Sequence, residues 1–288
     1  MDKFSINGPC RVRGTIKLSG SKNASLPILA ASILFDEPVE IKNLPKVKDI
    51  ETMLDLIKSL GFSIKKNKIK NSVIIKKKRI KTFASYSLVK TMRAGILVLG
   101  PLISKYKKAT TSLPGGCLIG ARPVNFHLNA LGKLGMTHSI KKGYIYANAH
   151  KGLKGSIIKF PKISVGATEN AILAATLAKG KTILKNCAIE PEIKIDLTNF
   201  LNKAGAKIKW IGKRSVEIDG VKKLNSISHS VMADRIECGT FCVVAAISKG
   251  ELKINGLDPN IITTEIKLLK KIGAKIKTYD KTILIKGP

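Results

Sequence analysis

The sequence predicts an α/β protein assembled from four similar βαβαββ modules. Three observations predict it. First, a glycine that follows a helical pattern recurs in Leu60-Gly61-Phe62, Leu134-Gly135-Met136, Ala204-Gly205-Ala206 and Ile272-Gly273-Ala274, at steps of 74, 70 and 68 residues. Glycine is expected just past a helix end because it adopts positive φ without steric cost. Second, turns at Asn43-Leu44-Pro45, Leu113-Pro114-Gly115, Asn186-Cys187-Ala188 and Asn255-Gly256-Leu257 each close a β-like run, once per repeat. Third, apolar helical patterns alternate with short β-like runs throughout, the signature of an α/β fold rather than of segregated helices and strands.

Taken in order, the first module has an apolar helical stretch at Ala24–Leu34. Pro27 is best tolerated in a first turn, so this helix is expected to begin no earlier than about Asn23. A second helical pattern, Ile50–Leu60, precedes Gly61, and the runs Ser63-Ile64-Lys65 and Val73-Ile74-Ile75 follow it. The second module carries its turn at Leu113-Pro114-Gly115. Ala171–Ala178 is the first helix of the third module, and Thr240–Ile247 and Ile262–Ile272 are the two helices of the fourth. That module closes on Thr282-Ile283-Leu284-Ile285.

A chain of 288 residues with 44% hydrophobic residues can bury a large core and is expected to form more than one compact region. The start, Met1-Asp2-Lys3-Phe4-Ser5-Ile6, has no signal-peptide apolar run. Ala24–Phe35 and Ala94–Ile103 are too short and too interrupted by Pro or Gly to span a bilayer. A cytoplasmic chain without membrane association is expected. The formal charge of +33 rests on seven Arg, with Lys making up the rest of the 52 basic residues. Arg is the residue that phosphate and base readout select for its planar fork. Lys alternates instead with Ile and Asn, as in Ile64-Lys65-Lys66-Asn67-Lys68-Ile69-Lys70-Asn71, a pattern of AT-rich codons. A solvated Lys-rich surface is therefore expected, and nucleic acid is disfavoured as a partner. The five cysteines are scattered without CxxC spacing and the four histidines are isolated, so no metal site is expected. Cys238 and Cys242 lie four apart in an apolar pattern and read as small core residues of one helix face.

Three corners stand out chemically. Leu113-Pro114-Gly115-Gly116-Cys117-Leu118-Ile119-Gly120-Ala121-Arg122-Pro123 is a loop by composition, with a thiol and a guanidinium on a backbone that can approach a ligand. Arg122 suits a phosphate, and a nearby cation favours a thiolate. Ser19-Gly20-Ser21-Lys22-Asn23 opens the first helix of the first module, and Ser164-Val165-Gly166-Ala167-Thr168 the matching helix of the third. All three precede helices, whose free N–H groups attract anions, so the three could converge on one phosphorylated ligand. Taken singly, a Gly-rich turn or a Ser-Gly-Ser is more often an ordinary loop or helix cap.

Pro114-Gly115-Gly116-Cys117, followed by Gly120-Ala121-Arg122-Pro123-Val124, closely resembles the reactive loop of the UDP-N-acetylglucosamine enolpyruvyl transferases, and the resemblance runs from about Asp2 to the end. It implies transfer of enolpyruvate from phosphoenolpyruvate to UDP-N-acetylglucosamine, the first committed step of peptidoglycan synthesis, without cofactor or metal. It implies an inside-out α/β barrel fold of two domains, each of three modules about a pseudo-threefold axis, with the active site in the cleft between them. Residues 20–225 would form one complete domain, and residues 1–19 with 226–288 part of the second, Asn225-Ser226-Ile227-Ser228 belonging to the crossing. By the same resemblance Lys22 and Asn23 match the phosphoenolpyruvate pair, and Cys117 the general acid that protonates the methylene carbon. Arg93 matches a substrate-binding arginine; Arg122, Pro123, Val124, Asn125 and Phe126 match the segment holding the uridine diphosphate; and Lys162, Ser164, Val165 and Gly166 match a further part of that site.

Two departures qualify the resemblance. Asn125 stands where the family has Asp, which removes a charge and an acceptor oxygen from the nucleotide segment. The family runs to six modules, and the two beyond these four carry its aspartate base and further arginines. A fragment, a half-protein completed by a second polypeptide and a decayed gene product all fit that length. A shikimate-type transferase is disfavoured, because Ser21-Lys22-Asn23-Ala24-Ser25 lacks the arginine that group places after this lysine. A non-catalytic protein that binds a sugar nucleotide, or nucleic acid through its Lys-rich surface, is the remaining alternative.

Overall fold

The computed structural model of the chain describes residues 3–67, 69, 71–115 and 123–288. It opens with β1 (Arg13–Lys17), followed by α1 (Lys22–Ala31), β2 (Val39–Lys42), α2 (Lys48–Ser59), β3 (Phe62–Asn67) and β4 (Ser72–Lys77). Next come β5 (Phe83–Ala84), α3 (Tyr86–Val89), α4 (Leu99–Tyr106), β6 (Lys108–Ser112), α5 (Asn125–Lys133), β7 (Thr137–Lys141) and β8 (Tyr144–Asn148). The third stretch holds β9 (Ile157–Lys159), α6 (Val165–Ala175), β10 (Lys181–Lys185), α7 (Thr198–Lys203), β11 (Lys207–Gly212) and β12 (Ser215–Asp219). The last holds β13 (Ile227–Ser230), α8 (Arg235–Ile247), β14 (Glu251–Asn255), α9 (Thr263–Lys271), β15 (Lys275–Tyr279) and β16 (Thr282–Lys286).

Among the described residues four four-stranded sheets result, with orders β1-β14-β16-β15, β13-β2-β4-β3, β5-β6-β8-β7 and β9-β10-β12-β11. Each has the same plan: one parallel pair at the leading edge, then two antiparallel pairs. The leading strand of the first module is not its sequence neighbour β1 but β13, which runs parallel to β2 with Ile227 opposite Val39. Ile227 and Ser228 therefore belong to a sheet of the larger unit. The four glycines of the repeat all hold positive φ, at +92°, +103°, +98° and +98° for Gly61, Gly135, Gly205 and Gly273.

The chain divides into two compact units, residues 22–231 and residues 1–21 with 232–288. In the larger unit α1 and α6 are buried on all sides: every residue from Ala24 to Ala31 and from Ala167 to Ala175 is inaccessible or nearly so. Small residues such as Ala24, Ala30, Ala171 and Ala174 let these helices pack closely. α1 begins at Lys22, one residue earlier than expected, and holds Pro27 inside the helix. The lost hydrogen bond costs about 3 kcal/mol in a helix interior; burial of the whole apolar surface offsets it. In the second module the run Ala94–Ile103 is split into a 3-10 turn, Arg93–Val98, and α4, because Gly95 and Gly100 interrupt it and Pro101 suits only a helix start.

Side-chain polar contacts link the modules of the larger unit. Asp36 binds Lys77 of β4 at 2.7 Å and Lys105 of α4. His229 of β13 meets Asp196 at 2.9 Å, both nearly inaccessible. Asp196 lies in Glu192–Leu197, wound as a π-helix just before α7. The smaller unit packs α8 and α9 on its sheet around Cys238, Cys242, Ala245, Ile254, Ile262 and Ile283, placing both cysteines in the core. Among the described residues no helix is long and apolar enough to cross a membrane.

Candidate functional site

The expected site residues that the structure describes fall at the starts of helices in the larger unit. Lys22 and Asn23 are the first two residues of α1. Arg93 opens the 3-10 turn that leads into α4. Val124 caps α5, which begins with Asn125 and Phe126, and Pro123 precedes it, exposed. Ser164 caps α6, its Oγ accepting the Ala167 N–H at 3.4 Å, and Val165 and Gly166 form the first turn. Lys162 is exposed just ahead of that cap. Cys117 and Arg122 lie outside the described residues. Gly115 lies close to the segment ahead of Arg93: a Cβ on it would run into the Lys90 carbonyl.

These starts share an electrostatic character. None of α1, α5, α6 or the Arg93 turn has an acidic residue in its first turn. The helix dipole there favours an anion, and Lys22, Arg93 and Lys162 add positive charge. Lys22 is itself oriented by Asp49 at the start of α2, with Nζ 3.2 Å from Oδ2.

Three of the starts are tied together beneath the surface. Asn170 of α6 is inaccessible, and its Oδ1 accepts the Gly100 N–H at 2.8 Å. Its Nδ2 donates to the Ile96 carbonyl at 3.1 Å and lies 3.1 Å from Nδ1 of His127 on α5. His127 in turn abuts α6: a Cβ on Gly166 would sit 3.1 Å from its Cε1 and 3.3 Å from its Nε2. Burial first, and the nearby Arg93 charge second, lower the His127 pKa to about 4, so the ring is neutral at pH 7.

A family model for EPSP synthase (3-phosphoshikimate 1-carboxyvinyltransferase) matches residues 6–288. The UDP-N-acetylglucosamine 1-carboxyvinyltransferase of Pelagibacter ubique is 60% identical over 287 residues, covering 100% of this chain and 68% of that protein. The chain belongs to the carboxyvinyltransferase, or enolpyruvyl transferase, family. The protein of the same name from Baumannia cicadellinicola is 48% identical, over 98% of this chain and 67% of its own length. Among solved structures, the enolpyruvyl transferase NikO from Streptomyces tendae superposes with a TM-score of 0.87 at 19% identity, over 98% of this chain and 67% of that one. The EPSP synthase of Acinetobacter baumannii gives 0.78 at 19% identity, over 97% and 65%. The chain thus spans about two thirds of the length of these enolpyruvyl transferases.

Sequence reasoning missed several residues at the heart of this enolpyruvyl transferase unit. Asn170 and His127 were not singled out, although a polar Thr168-Glu169-Asn170 run inside an alanine-rich helix is itself a signal. Glu169 is fully enclosed. Burial first, then the charges of Glu192 and Glu190, push its carboxyl well above the usual range. Asp49, whose carboxylate holds Lys22, was likewise invisible without the fold. Among the described residues no group of three His, Cys, Asp or Glu could hold a metal ion.

Proposed function

We propose that this chain is a UDP-N-acetylglucosamine 1-carboxyvinyltransferase, moving enolpyruvyl from phosphoenolpyruvate to the sugar 3-hydroxyl with release of phosphate. The observation that carries the reading is the 60% identity to a relative of that name, extending over the whole chain. The EPSP synthase likeness, at 19% identity, speaks for the fold alone. The geometry supports the same ligands. A sugar nucleotide brings a diphosphate, and phosphoenolpyruvate a phosphate and a carboxylate. Three acid-free helix starts with Lys22, Arg93 and Lys162 suit that charge.

In this reading Lys22 and Asn23 bind phosphoenolpyruvate, with Asp49 holding the lysine in place. Arg93, Arg122, Pro123, Val124, Asn125, Phe126, Lys162, Ser164, Val165 and Gly166 receive the sugar nucleotide. The roles of Cys117 and Arg122 rest on their motif. The sugar oxygen bonds to C2 of phosphoenolpyruvate while the Cys117 thiol gives its proton to the methylene carbon. Loss of that proton and departure of phosphate then restore the double bond. Lys22 and Arg122 stabilise the charge on the leaving phosphate. A base for the sugar hydroxyl belongs to the third of the relatives' length that these residues do not span, carried on the same polypeptide or on a second one.

Calorimetry tests the binding half of the proposal. UDP-N-acetylglucosamine should bind the 288-residue polypeptide, more weakly after Arg122→Ala, and shikimate 3-phosphate should not. Binding of shikimate 3-phosphate with no heat from the sugar nucleotide at millimolar concentration would reverse the assignment.

A further inference from the structure

One buried amide joins the three segments that carry sugar-nucleotide candidates. Asn170 bonds the Gly100 N–H and the Ile96 carbonyl, on the segment that Arg93 opens, and faces Nδ1 of His127, two residues past Asn125. It lies on α6, four residues past Gly166. The two backbone partners settle which way the amide points, because a peptide N–H only donates and a carbonyl only accepts. Oδ1 therefore faces Gly100 and Nδ2 faces Ile96. The second Nδ2 hydrogen is left for His127, so Nδ1 is the acceptor and the imidazole proton sits on Nε2. That Nε2 edge lies against Gly166, where a Cβ would sit 3.3 Å from it, and His127 as a whole is 2% exposed. Gly100 is required for the same approach, since a Cβ there would run into Asn170 Oδ1.

We propose that Asn170 is a positioning residue for the sugar nucleotide, which registers the Arg93, Asn125 and Gly166 segments and holds His127 as its neutral Nε2–H tautomer. The imidazole then presents a hydrogen-bond donor beside the start of α6, the polarity a diphosphate or uracil oxygen requires. The inference rests on the reading of these three segments as sugar-nucleotide contacts. A plain core asparagine would instead affect stability and leave the state of His127 without consequence. The charged group facing the ring is Arg93, whose cation opposes a second one on His127.

The test needs no variant for its first part. Long-range nitrogen–proton NMR on the folded 288-residue polypeptide should show His127 as the Nε2–H tautomer, titrating well below an ordinary histidine. An Nδ1–H tautomer would overturn the proposal. Asn170→Asp then places an acceptor against Nδ1, and should draw the ring proton to Nδ1, turning Nε2 from a donor into an acceptor. Affinity for UDP-N-acetylglucosamine should fall about tenfold or more at pH 7.5, the scale of one buried donor lost or reversed, with a pH dependence absent from the wild type. Unchanged affinity in a folded variant, with wild-type binding intact, would overturn the proposal and leave the functional reading standing. Absence of wild-type binding would sink that reading and the positioning role together, while the tautomer result would still judge the hydrogen-bond assignment. If Asn170→Asp does not fold, His127→Phe replaces it, and equal affinity in that variant would count against the proposal.

Discussion

Replacing Asp196 with alanine should loosen the junction of the first and third modules. His229 and Asp196 meet at 2.9 Å with side chains only 4% and 6% exposed, and the Phe200 ring meets the imidazole edge-on at 5.3 Å. Removing the carboxylate deletes a charge-assisted hydrogen bond worth about 1.5–3 kcal/mol and leaves the imidazole nitrogen buried without it, at about 1–3 kcal/mol. Breaking a buried pair by removing one partner costs about 3–5 kcal/mol, in agreement. For a unit of this size each kcal/mol shifts Tm by about 2–4 °C, so the variant should melt roughly 6–20 °C lower. Asp196→Asn keeps the shape and a hydrogen-bonding group, and should cost less than half as much. Scanning calorimetry of the three proteins at pH 7.5 measures this. A loss below about 1 kcal/mol for the alanine variant would mean that the tie behaves like a surface pair and does not hold the modules.

Fosfomycin, a small epoxide phosphonate, should label Cys117 first. Cys187, Cys238 and Cys242 are buried, and burial pushes the Cys187 thiol to about 12, so mass mapping against exposed Cys10 is the informative comparison. Equal or faster labelling of Cys10 would argue against an anion site at Cys117. Asp36 is held below the usual carboxylate range by hydrogen bonds to Lys105 and then Lys77, so its stabilisation is fully present above the unfolded value of about 3.9 and is lost as pH falls through the lower folded value. The Tm gap between wild type and Asp36→Asn should therefore be widest near neutrality and close in acid; a gap independent of pH would contradict this. Ser164→Ala removes the α6 cap and should cost about 1 kcal/mol by urea titration, with no measurable change being the contrary result.

Much of the fold was legible because it repeats. The glycines at 61, 135, 205 and 273 and the turns at Asn43, Asn186 and Asn255 carry backbone signals that need no tertiary information, and the structure places all of them at left-handed or turn conformations except Asn255, where Gly256 takes that role. What sequence could not supply was long-range. That β13 rather than β1 leads the first sheet depends on pairing nearly two hundred residues apart in the chain. The helix around Pro27 was set by burial that overrides local propensity. The candidate site was legible as motif residues at helix starts. The residues beneath it, His127, Glu169 and Asn170, were not, because only the packing of the helices shows that these polar side chains face inward.

The choice of acceptor tests the central claim most directly. Phosphoenolpyruvate is offered with UDP-N-acetylglucosamine or with shikimate 3-phosphate, to the 288-residue polypeptide supplemented with the remaining third of the Pelagibacter ubique relative, and products are read by mass spectrometry alongside phosphate release. Enolpyruvyl-UDP-N-acetylglucosamine should form with stoichiometric phosphate, and the shikimate compound should be returned unchanged. Enolpyruvyl transfer to shikimate 3-phosphate in place of the sugar nucleotide would contradict the assignment.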